Sequence, residues 1–262
     1  MSIPRVVALI QARLTSSRLP NKVLAKIGPW TVIELMYRRL RRANLLDDIV
    51  FVIPDTIEND PLNLYLESVL KVQVFRGSEL DVLKRFAGAM RQFPADYYVR
   101  LTADCPLICP ELINDVICCA VSDKLAYATN TNPPTFPDGF DVECISQEAL
   151  QWTDENTSNS HWREHVTYGL REGADRPKSF KFGNVTQKDM NGEWIRLTLD
   201  TPEDLLVLRE MHGINGDALE TLDHKELQTV YERHGLGRLN GMEKRNAGFQ
   251  ASRMQHVGKK DP

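Results

Sequence analysis

The sequence predicts an α/β fold in which a mostly parallel sheet lies between two layers of helices, giving three layers in all. Three observations support this prediction. Short apolar runs of strand length alternate with longer amphipathic stretches along the first half of the chain. The apolar runs are continuous, as is typical of parallel strands that are buried on both faces. With 262 residues, of which 42% are hydrophobic and 26% charged, the chain is long enough for one large core.

Hydrophobic spacing and helix-start signals define the elements of the first half. Apolar residues recur at helical spacing between residues 31 and 44. Asn59 is a cap-type residue, and Pro61 then stands in the first turn of a helix. The predicted strands cover residues 5–10, 49–53, 72–75, 96–101 and 125–129, and the predicted helices cover 31–44, 79–92 and two stretches that open at Asn59 and Pro110. Right-handed crossovers place the carboxyl ends of such strands along one rim, where ligands bind in open α/β sheets.

The second half is less regular. It begins with a Pro-, Asn- and Thr-rich loop at 130–137, and its predicted elements are helices at 158–172 and 202–211 and strands at 179–182 and 194–199. Linker-like composition does not separate the two halves, so we expect one domain over residues 1–236. Residues 237–262 hold six Lys and Arg residues against two acidic ones, with few large apolar residues. We expect a basic, flexible, solvated tail there, in preference to an arm that binds a partner subunit.

Composition and charge exclude several classes of protein. The net charge of −4 argues against general nucleic-acid binding, which requires a basic surface. The sequence contains no run of the ~20 apolar residues that a membrane-spanning helix needs, so we expect no membrane insertion. The apolar start of the chain is followed by Arg13 without a small-residue cleavage site, and we interpret it as a first strand. Five cysteines, an odd number, suit reduced thiols and a cytoplasmic location.

A cationic loop directly follows the first predicted strand and so lies on the ligand-binding rim. Arg13, Arg18 and Lys22 stand in this loop among small hydroxyl residues. Guanidinium forks, an ammonium group and backbone N–H groups together suit a polyphosphate. The loop lacks the glycines of a Walker motif. A solvated loop with ordinary surface charge is the alternative, and on residue type alone it has about equal weight.

Two segments share the pattern Arg-Leu-Thr-x-Asp-x-Pro, starting at Arg100 and at Arg196. In each segment a strand ends near the proline, so Asp104 and Asp200 stand where strands leave the sheet. Two such carboxylates on the rim that carries a cationic loop suggest a Mg²⁺ site, because Mg²⁺ takes one or two carboxylates together with substrate phosphates. A turn aspartate is the alternative at position 104, and a helix-start role is the alternative at position 200.

Two further clusters are more ambiguous. Three carboxylates between residues 137 and 143 could bind a polyhydroxylated or cationic substrate, although spacing alone favours an acidic turn. His161 and His165 are four residues apart, but the order is not His-Glu-x-x-His and the sequence shows no third ligand, so zinc is disfavoured. Arg163 and His165 are better candidates for contacts with a substrate anion.

Six blocks of sequence resemble the nucleotide-sugar cytidylyltransferase family. The resemblance is to the CMP-sugar-acid synthetases, which activate 3-deoxy-octulosonic and sialic acids with CTP, and within them to the branch of the spore-coat polysaccharide biosynthesis protein F. The blocks cover residues 10–24, 74–86, 97–113, 136–146, 163–167 and 196–205. The resemblance implies a Rossmann-like fold of the nucleotide-diphospho-sugar transferase type, a Mg²⁺ cofactor, CTP and a sugar acid as substrates, and a homodimer. One departure is Asn21, where this branch usually has glycine; asparagine tolerates positive φ better than most residues.

The resemblance also implies roles for individual residues. Asp104 and Asp200 match the magnesium ligands and, with Arg13 and Lys22, are the expected catalytic residues. The expected nucleotide-binding residues are Gln11, Ala12, Arg13, Ser17, Arg18, Lys22, Arg76, Gly77, Asp81, Thr102 and Ala103, and the expected acceptor-binding residues are Asp138, Gly139, Asp141, Glu143, Arg163, Glu164 and His165. The implied reaction is transfer of CMP from CTP to a hydroxyl of a sugar acid or related surface-glycan precursor, with release of pyrophosphate. Two alternatives stay open: a glycosyltransferase that uses a nucleotide sugar, and a catalytically idle nucleotide-binding subunit.

Overall fold

A computed structural model describes residues 3–187, 192, 194–241 and 245 of the chain. The strands within these residues are β1 (Val6–Gln11), β2 (Lys26–Ile27), β3 (Trp30–Thr31), β4 (Asp48–Pro54), β5 (Gln73–Gly77), β6 (Tyr97–Thr102), β7 (Tyr127–Thr129), β8 (Glu143–Ser146) and β9 (Phe182–Asn184). The helices are α1 (Val32–Leu40), α2 (Asp60–Leu64), α3 (Val82–Gln92), α4 (Pro110–Ser122), α5 (Gln147–Asn156), α6 (Ser160–Glu164), α7 (Tyr168–Glu172), α8 (Pro202–Asn215), α9 (His224–Arg233) and α10 (Gly237–Asn240).

Seven of these strands form one sheet in the order β5-β4-β1-β6-β8-β7-β9. Strand β1 is parallel to both of its neighbours, β4 and β6, and β4 is parallel to β5. Strand β8 runs antiparallel to β6 and to β7. The predicted mostly parallel sheet is therefore confirmed, with one reversed strand that the sequence did not indicate.

The central strand β1 shows why helices cover both faces of the sheet. Its side chains alternate between two separate cores: Ala8 and Ile10 lie in one, and Val7 and Leu9 lie in the other. Helices α1, α4 and α8 pack on the first face, and α3 and α5 pack on the second. This is the three-layer arrangement that the sequence predicts.

The second half differs from the prediction in several places. Strand β8 and helices α5 and α9 were not predicted. The predicted helix 158–172 is divided into α6 and α7, because Val166 adopts a positive φ of 51° that an α-helix cannot contain. The predicted strand 194–199 pairs only through an isolated bridge between Asp138 and Arg196. The strand predicted at 179–182 lies at Phe182–Asn184.

The start of the predicted tail packs against the body of the protein. Helix α10 contacts α8, and Asn240 is only 2% exposed. The Asn240 amide donates to the Asp204 carboxylate at 2.9 Å and to the Arg196 carbonyl at 3.1 Å, and it accepts from the Tyr231 hydroxyl at 2.9 Å. The rest of the predicted flexible tail is residues 241–262. Of these, only 241 and 245 belong to the described part of the chain. No helix within that part is long and apolar enough to cross a membrane.

Candidate active site

A cleft of about 570 Å³ opens at the carboxyl ends of β1 and β6. The two strands end level with one another, because Gln11 pairs with Thr102 in the parallel register. The segments that follow them, which contain Arg13 and Asp104, therefore leave the sheet side by side and line the cleft. This is the rim on which open α/β sheets bind ligands.

The loop after β1 holds its cations at the mouth of the cleft. Its fold depends on Asn21, which adopts the left-handed conformation with φ 58° and donates its backbone N–H to the carbonyl of Leu14. Asparagine tolerates this conformation, so the departure from glycine leaves the turn intact. Arg13 and Arg18 line the cleft and are exposed, whereas Lys22 is 8% exposed.

Asp104 and Asp200 converge on one cationic atom. The Lys22 Nζ donates to Asp104 Oδ2 and to Asp200 Oδ1, each at 2.9 Å, and to the carbonyl oxygen of Leu199 at 2.7 Å. The backbone N–H of Leu199 donates to the carbonyl of Asp104 at 2.7 Å, which fixes the two segments against each other. Three oxygen atoms thus surround a single positive charge at the edge of the cleft.

The electrostatics of this cluster favour full ionisation. Burial works to lower the pKa of Lys22, but the charges of Asp104 and Asp200 outweigh it and raise that pKa above its usual value. Burial works to raise the pKa of Asp104, but the charge of Lys22 and hydrogen bonds hold it at about 2. The Asp104 carboxylate is therefore available as an anionic oxygen ligand at neutral pH.

Arg196 positions Asp200 by binding the carboxylate oxygen that does not face Lys22. Its guanidinium group donates to Asp200 Oδ2 at 3.0 Å, to Asp138 Oδ2 at 2.8 Å and to both oxygens of Asp204 at 2.9 Å. Asp204 is fully buried and forms a capping box with Thr201 at the start of α8. One oxygen of Asp200 is thereby fixed, and the other is directed at Lys22 and at Arg18, whose guanidinium group lies 3.0 Å from it. This role of Arg196 was not predicted, although the four-residue spacing of Arg196 and Asp200 is visible in the repeated pattern.

The acidic block 138–143 lines the cleft through Asp138, Asp141 and Glu143, and Asp138 shares the Arg196 guanidinium group with Asp200. Burial and the neighbouring charge of Asp141 raise the pKa of Asp138 to about 6, despite two nearby guanidinium groups. Gly139 has φ +108°, and a Cβ atom there would lie 2.6 Å from the backbone carbon of Leu197. Only glycine allows this close approach of the two backbones.

Two arginines hold the remaining acids of this block. Arg100 forms an ion pair with Glu143. Arg245, from the segment predicted as a tail, donates to Asp141 Oδ1 at 2.5 Å and to the carbonyl of Phe136 at 2.8 Å. The sequence analysis assigned no function to Arg245, because neither hydrophobic spacing nor a motif surrounds it.

Helix α6 brings only part of its predicted set to the cleft. Glu164 and His165 line it, but Arg163 instead pairs with Asp81 and Asp154 and donates to the Thr157 carbonyl. The ligand atoms of His161, Glu164 and His165 lie within 4.8 Å of one another, so Glu164 supplies the third group that the sequence did not reveal. Burial lowers the pKa of His165 to about 4.

Three of the predicted nucleotide-binding residues, Arg76, Gly77 and Asp81, are not among the residues that line this cleft. Arg76 pairs with Asp60 at 2.6 Å and donates to the Thr56 carbonyl, and Gly77 ends strand β5. Asp81 caps helix α3 and accepts from Arg163 at 2.8 Å. Arg76 and Gly77 are the last residues of the parallel strand β5 and Asp81 follows it, so all three lie toward the rim that carries the cleft, and their nucleotide contacts stay a prediction.

The remaining predicted nucleotide contacts flank the loop. Gln11 and Thr102 line the cleft, Ala12 and Ala103 are buried beneath it, and Ser17 is exposed. A parallel-rich sheet with a cationic loop and paired strand-end carboxylates on one rim is the arrangement of a nucleotide-using α/β transferase.

The sequence profile of the cytidylyltransferase family matches residues 7–234, and the chain belongs to that family. It is a CTP-dependent nucleotidyltransferase. The chain is 34% identical over 224 residues to the uncharacterized protein MJ1063 of Methanocaldococcus jannaschii, covering 84% of this chain and 89% of that protein. It is 26% identical over 235 residues to the spore coat polysaccharide biosynthesis protein SpsF of Bacillus subtilis, covering 87% and 95% of the two. A cytidylyltransferase structure from Leptospira borgpetersenii superposes with a TM-score of 0.83 at 27% identity, over 91% of this chain and 98% of that one.

Proposed function

We propose that this enzyme transfers CMP from CTP to a hydroxyl of a sugar acid or related surface-glycan precursor, with Mg²⁺ and with release of pyrophosphate. The observation that carries the proposal is the convergence of Asp104 and Asp200 on a single cation beside the loop of Arg13 and Arg18. The motif resemblance supports the sugar acid, and the name of the SpsF relative supports a surface-glycan product. The proposal includes a cytoplasmic homodimer.

The residues of the cluster fit a divalent cation. Asp104, Asp200 and the Leu199 carbonyl present only oxygen atoms, and they already surround a positively charged nitrogen at 2.7–2.9 Å. Oxygen ligands with two carboxylates are the set that Mg²⁺ prefers when it also binds substrate phosphates. When bound there, Mg²⁺ supplies charge neutralisation at the phosphates and lowers the pKa of a coordinated hydroxyl group.

The chain's own residues position the reactants. Arg13 and Arg18 bind the triphosphate at the mouth of the cleft, and Lys22 adds an ammonium group from below. The acceptor lies over Asp138 and Asp141, whose carboxylates accept hydrogen bonds from its hydroxyl groups, while Glu143 holds Arg100 in the wall of the cleft. One acceptor oxygen forms a bond to the α-phosphorus while the bond from that phosphorus to the bridging oxygen breaks. The hydroxyl proton passes to solvent and pyrophosphate leaves, so that catalysis comes mainly from positioning and charge neutralisation.

The test combines a substrate panel with two conservative variants. Wild-type protein with CTP and Mg²⁺ is assayed for pyrophosphate against eight- and nine-carbon ulosonic acids, and the CMP-linked product is identified by mass spectrometry. Asp104→Asn and Asp200→Asn should lower turnover by about 10²-fold or more in variants that circular dichroism shows to be folded at the assay temperature. Asp123→Asn, an exposed position beyond α4, is the matched control and should leave turnover unchanged. CDP or UDP release from a nucleotide sugar, or near-normal turnover in both site variants, would contradict the proposal.

A further inference from the structure

The arginines that line the cleft fall into two sets: those whose guanidinium groups form ion pairs with carboxylates of the protein, and those whose groups do not. Four of them form ion pairs with carboxylates: Arg18, Arg100, Arg196 and Arg245. Arg13 and Arg171 line the same cleft, but neither side chain forms an ion pair or a hydrogen bond with another residue in the described part of the chain. Arg13 belongs to the proposed triphosphate loop. Arg171 has no role in the fold or in the proposed reaction so far.

Glu143 is the acidic residue whose charge acts most strongly on Arg171. The oxygens of Glu143 are already engaged by other residues. The Tyr127 and Thr167 hydroxyl groups each donate to Glu143 Oε1 at 2.5 Å, and Arg100 pairs with Oε2. Glu143 therefore attracts Arg171 through its charge without bonding to it. The Nε of Arg171 is buried and has no hydrogen-bond partner among the described residues, as is also true of the Nε of Arg100. Because Arg171 nevertheless lines the cleft, the terminal nitrogens of its guanidinium group are the donors that a ligand there can reach.

Two features hold Arg171 in place for such a ligand. Its guanidinium carbon lies 5.6 Å from the ring centroid of Tyr168, a distance at which the ring face attracts a cation. The side chain extends from α7, and α7 packs against α5 and α6. The group is thus part of a built wall of the cleft.

The sheet order places Arg171 away from the triphosphate loop. The residues that surround its charge, Tyr127 and Glu143, belong to β7 and β8. In the order β5-β4-β1-β6-β8-β7, these strands lie on the far side of β6 from β1, whose carboxyl end carries the loop of Arg13. Arg171 therefore belongs to the end of the cleft that the proposed function gives to the acceptor.

We propose that Arg171 binds a carboxylate of the acceptor, and that this contact makes the enzyme selective for acidic acceptors over neutral ones. The proposal rests on the proposed transfer of CMP. A guanidinium fork matches a carboxylate in bidentate geometry, which gives orientation as well as affinity. A phosphate group of CTP offers the same chemistry, so the experiment must distinguish the two sources of negative charge.

The experiment uses the full chain and paired probes. Each ulosonic acid of the panel is compared with its own carboxamide, in which the negative charge is removed and the sugar is kept. Binding of both probes is measured by calorimetry without CTP, and KM and kcat are measured with CTP and Mg²⁺. The variants are Arg171→Met and Arg171→Lys, with Arg41→Met as the control, because Arg41 is exposed and stacks on Tyr37 outside the cleft.

Arg171→Met should weaken acid binding and raise the KM for the acid by about 10- to 100-fold, with the KM for CTP changed less than about twofold. The same variant should bind acid and amide about equally, and Arg171→Lys should restore part of the preference. A raised KM for CTP alone would assign Arg171 to a nucleotide phosphate and overturn the proposal. So would a wild-type protein that binds no acid of the panel more tightly than its amide. If acid binding depends on Arg171 but no pyrophosphate is released, the proposed transfer fails and the carboxylate site stands.

Discussion

Replacing Lys22 by methionine should strengthen the binding of a divalent cation to the free enzyme. The Lys22 Nζ lies 2.9 Å from an oxygen of Asp104 and 2.9 Å from an oxygen of Asp200, so the ammonium group occupies the position between the two carboxylates. A divalent cation must displace it. Methionine has a similar length and no charge, and it removes this competitor while it leaves both carboxylates in place.

The size of the effect follows from the ionisation of Asp104. Against the opposing effect of burial, the charge of Lys22 and hydrogen bonds from Lys22, Thr102 and the backbone hold the pKa of Asp104 at about 2, compared with an ordinary value of 3.8. A difference of roughly two pKa units corresponds to about 2 to 3 kcal/mol. The part of it that Lys22 supplies is what a divalent cation must replace at Asp104 when it displaces the ammonium group. We therefore expect the variant to bind the cation about 10- to 70-fold more tightly than the wild type.

The assay is a Mn²⁺ titration of the protein without CTP, with free Mn²⁺ followed by electron paramagnetic resonance and Mg²⁺ added as competitor. Lys26→Met is the matched control, because Lys26 is exposed and donates only to the Pro29 carbonyl. The Lys22 variant should at the same time bind CTP more weakly, since it has lost a phosphate-binding cation. Unchanged or weaker Mn²⁺ binding would refute the view that the lysine and the metal ion share one position. A second refuting result would be equal tightening in the double variant that also carries Asp104→Asn.

Two further predictions concern the acceptor end of the cleft. Gly139→Ala should lower the free energy of unfolding by about 2 kcal/mol, because the added Cβ meets the backbone of Leu197 at positive φ. Gly213→Ala in α8, where the space around the glycine is open, should stabilise the protein slightly. Urea unfolding of both variants checks this, and equal effects would contradict it. Burial works to raise the pKa of Glu143, but the charge of Arg100 and hydrogen bonds hold it at about 2. Because this folded-state pKa is lower than the unfolded one, its stabilising contribution of about 3 kcal/mol is present above pH 4.5 and is lost as the pH falls toward 2. The free energy of unfolding should therefore decrease more steeply over that range in the wild type than in Glu143→Gln, and parallel curves would show that Glu143 is not responsible.

The first half of the fold could be predicted because its signals are local. Strand β1 is a continuous apolar run, and α1 repeats apolar residues at helical spacing, so period and length together determine each element. Strand β8 gave no such signal: it has four residues and begins with the charged Glu143, whose partners come from distant segments. The break at Val166 was also hidden, because a β-branched residue rarely adopts positive φ and only tertiary packing holds it there.

The candidate site divides along the same line. The convergence of Asp104 and Asp200 could be predicted from the repeated pattern, although only Asp104 follows a strand of the sheet, β6, and Asp200 is instead brought to it by backbone contacts such as Leu199 N–H to the Asp104 carbonyl. The role that we propose for Arg171 could not be predicted. It depends on the absence of an ion-pair partner within the described part of the chain, and only coordinates show which charges are already paired. Arg196 could be seen in the repeated sequence pattern. Its four hydrogen bonds to three carboxylates could not, because they need the start of α8, which carries Asp204, and the segment of Asp138 to pack around the arginine.

Arg245 has a consequence for how enzymes of this kind can diverge. It contacts Asp141 from beyond residue 234, where the family match ends. The wall of the cleft at Asp141, where we propose that the acceptor binds, is thus assembled partly from beyond the family match, whereas the loop of Arg13 and the paired aspartates lie wholly inside it. We expect substitution of Arg245 to change which acceptor is bound and to leave the proposed phosphate contacts in place. Grafting the C-terminal stretch between relatives therefore offers a route to exchange their acceptor preferences.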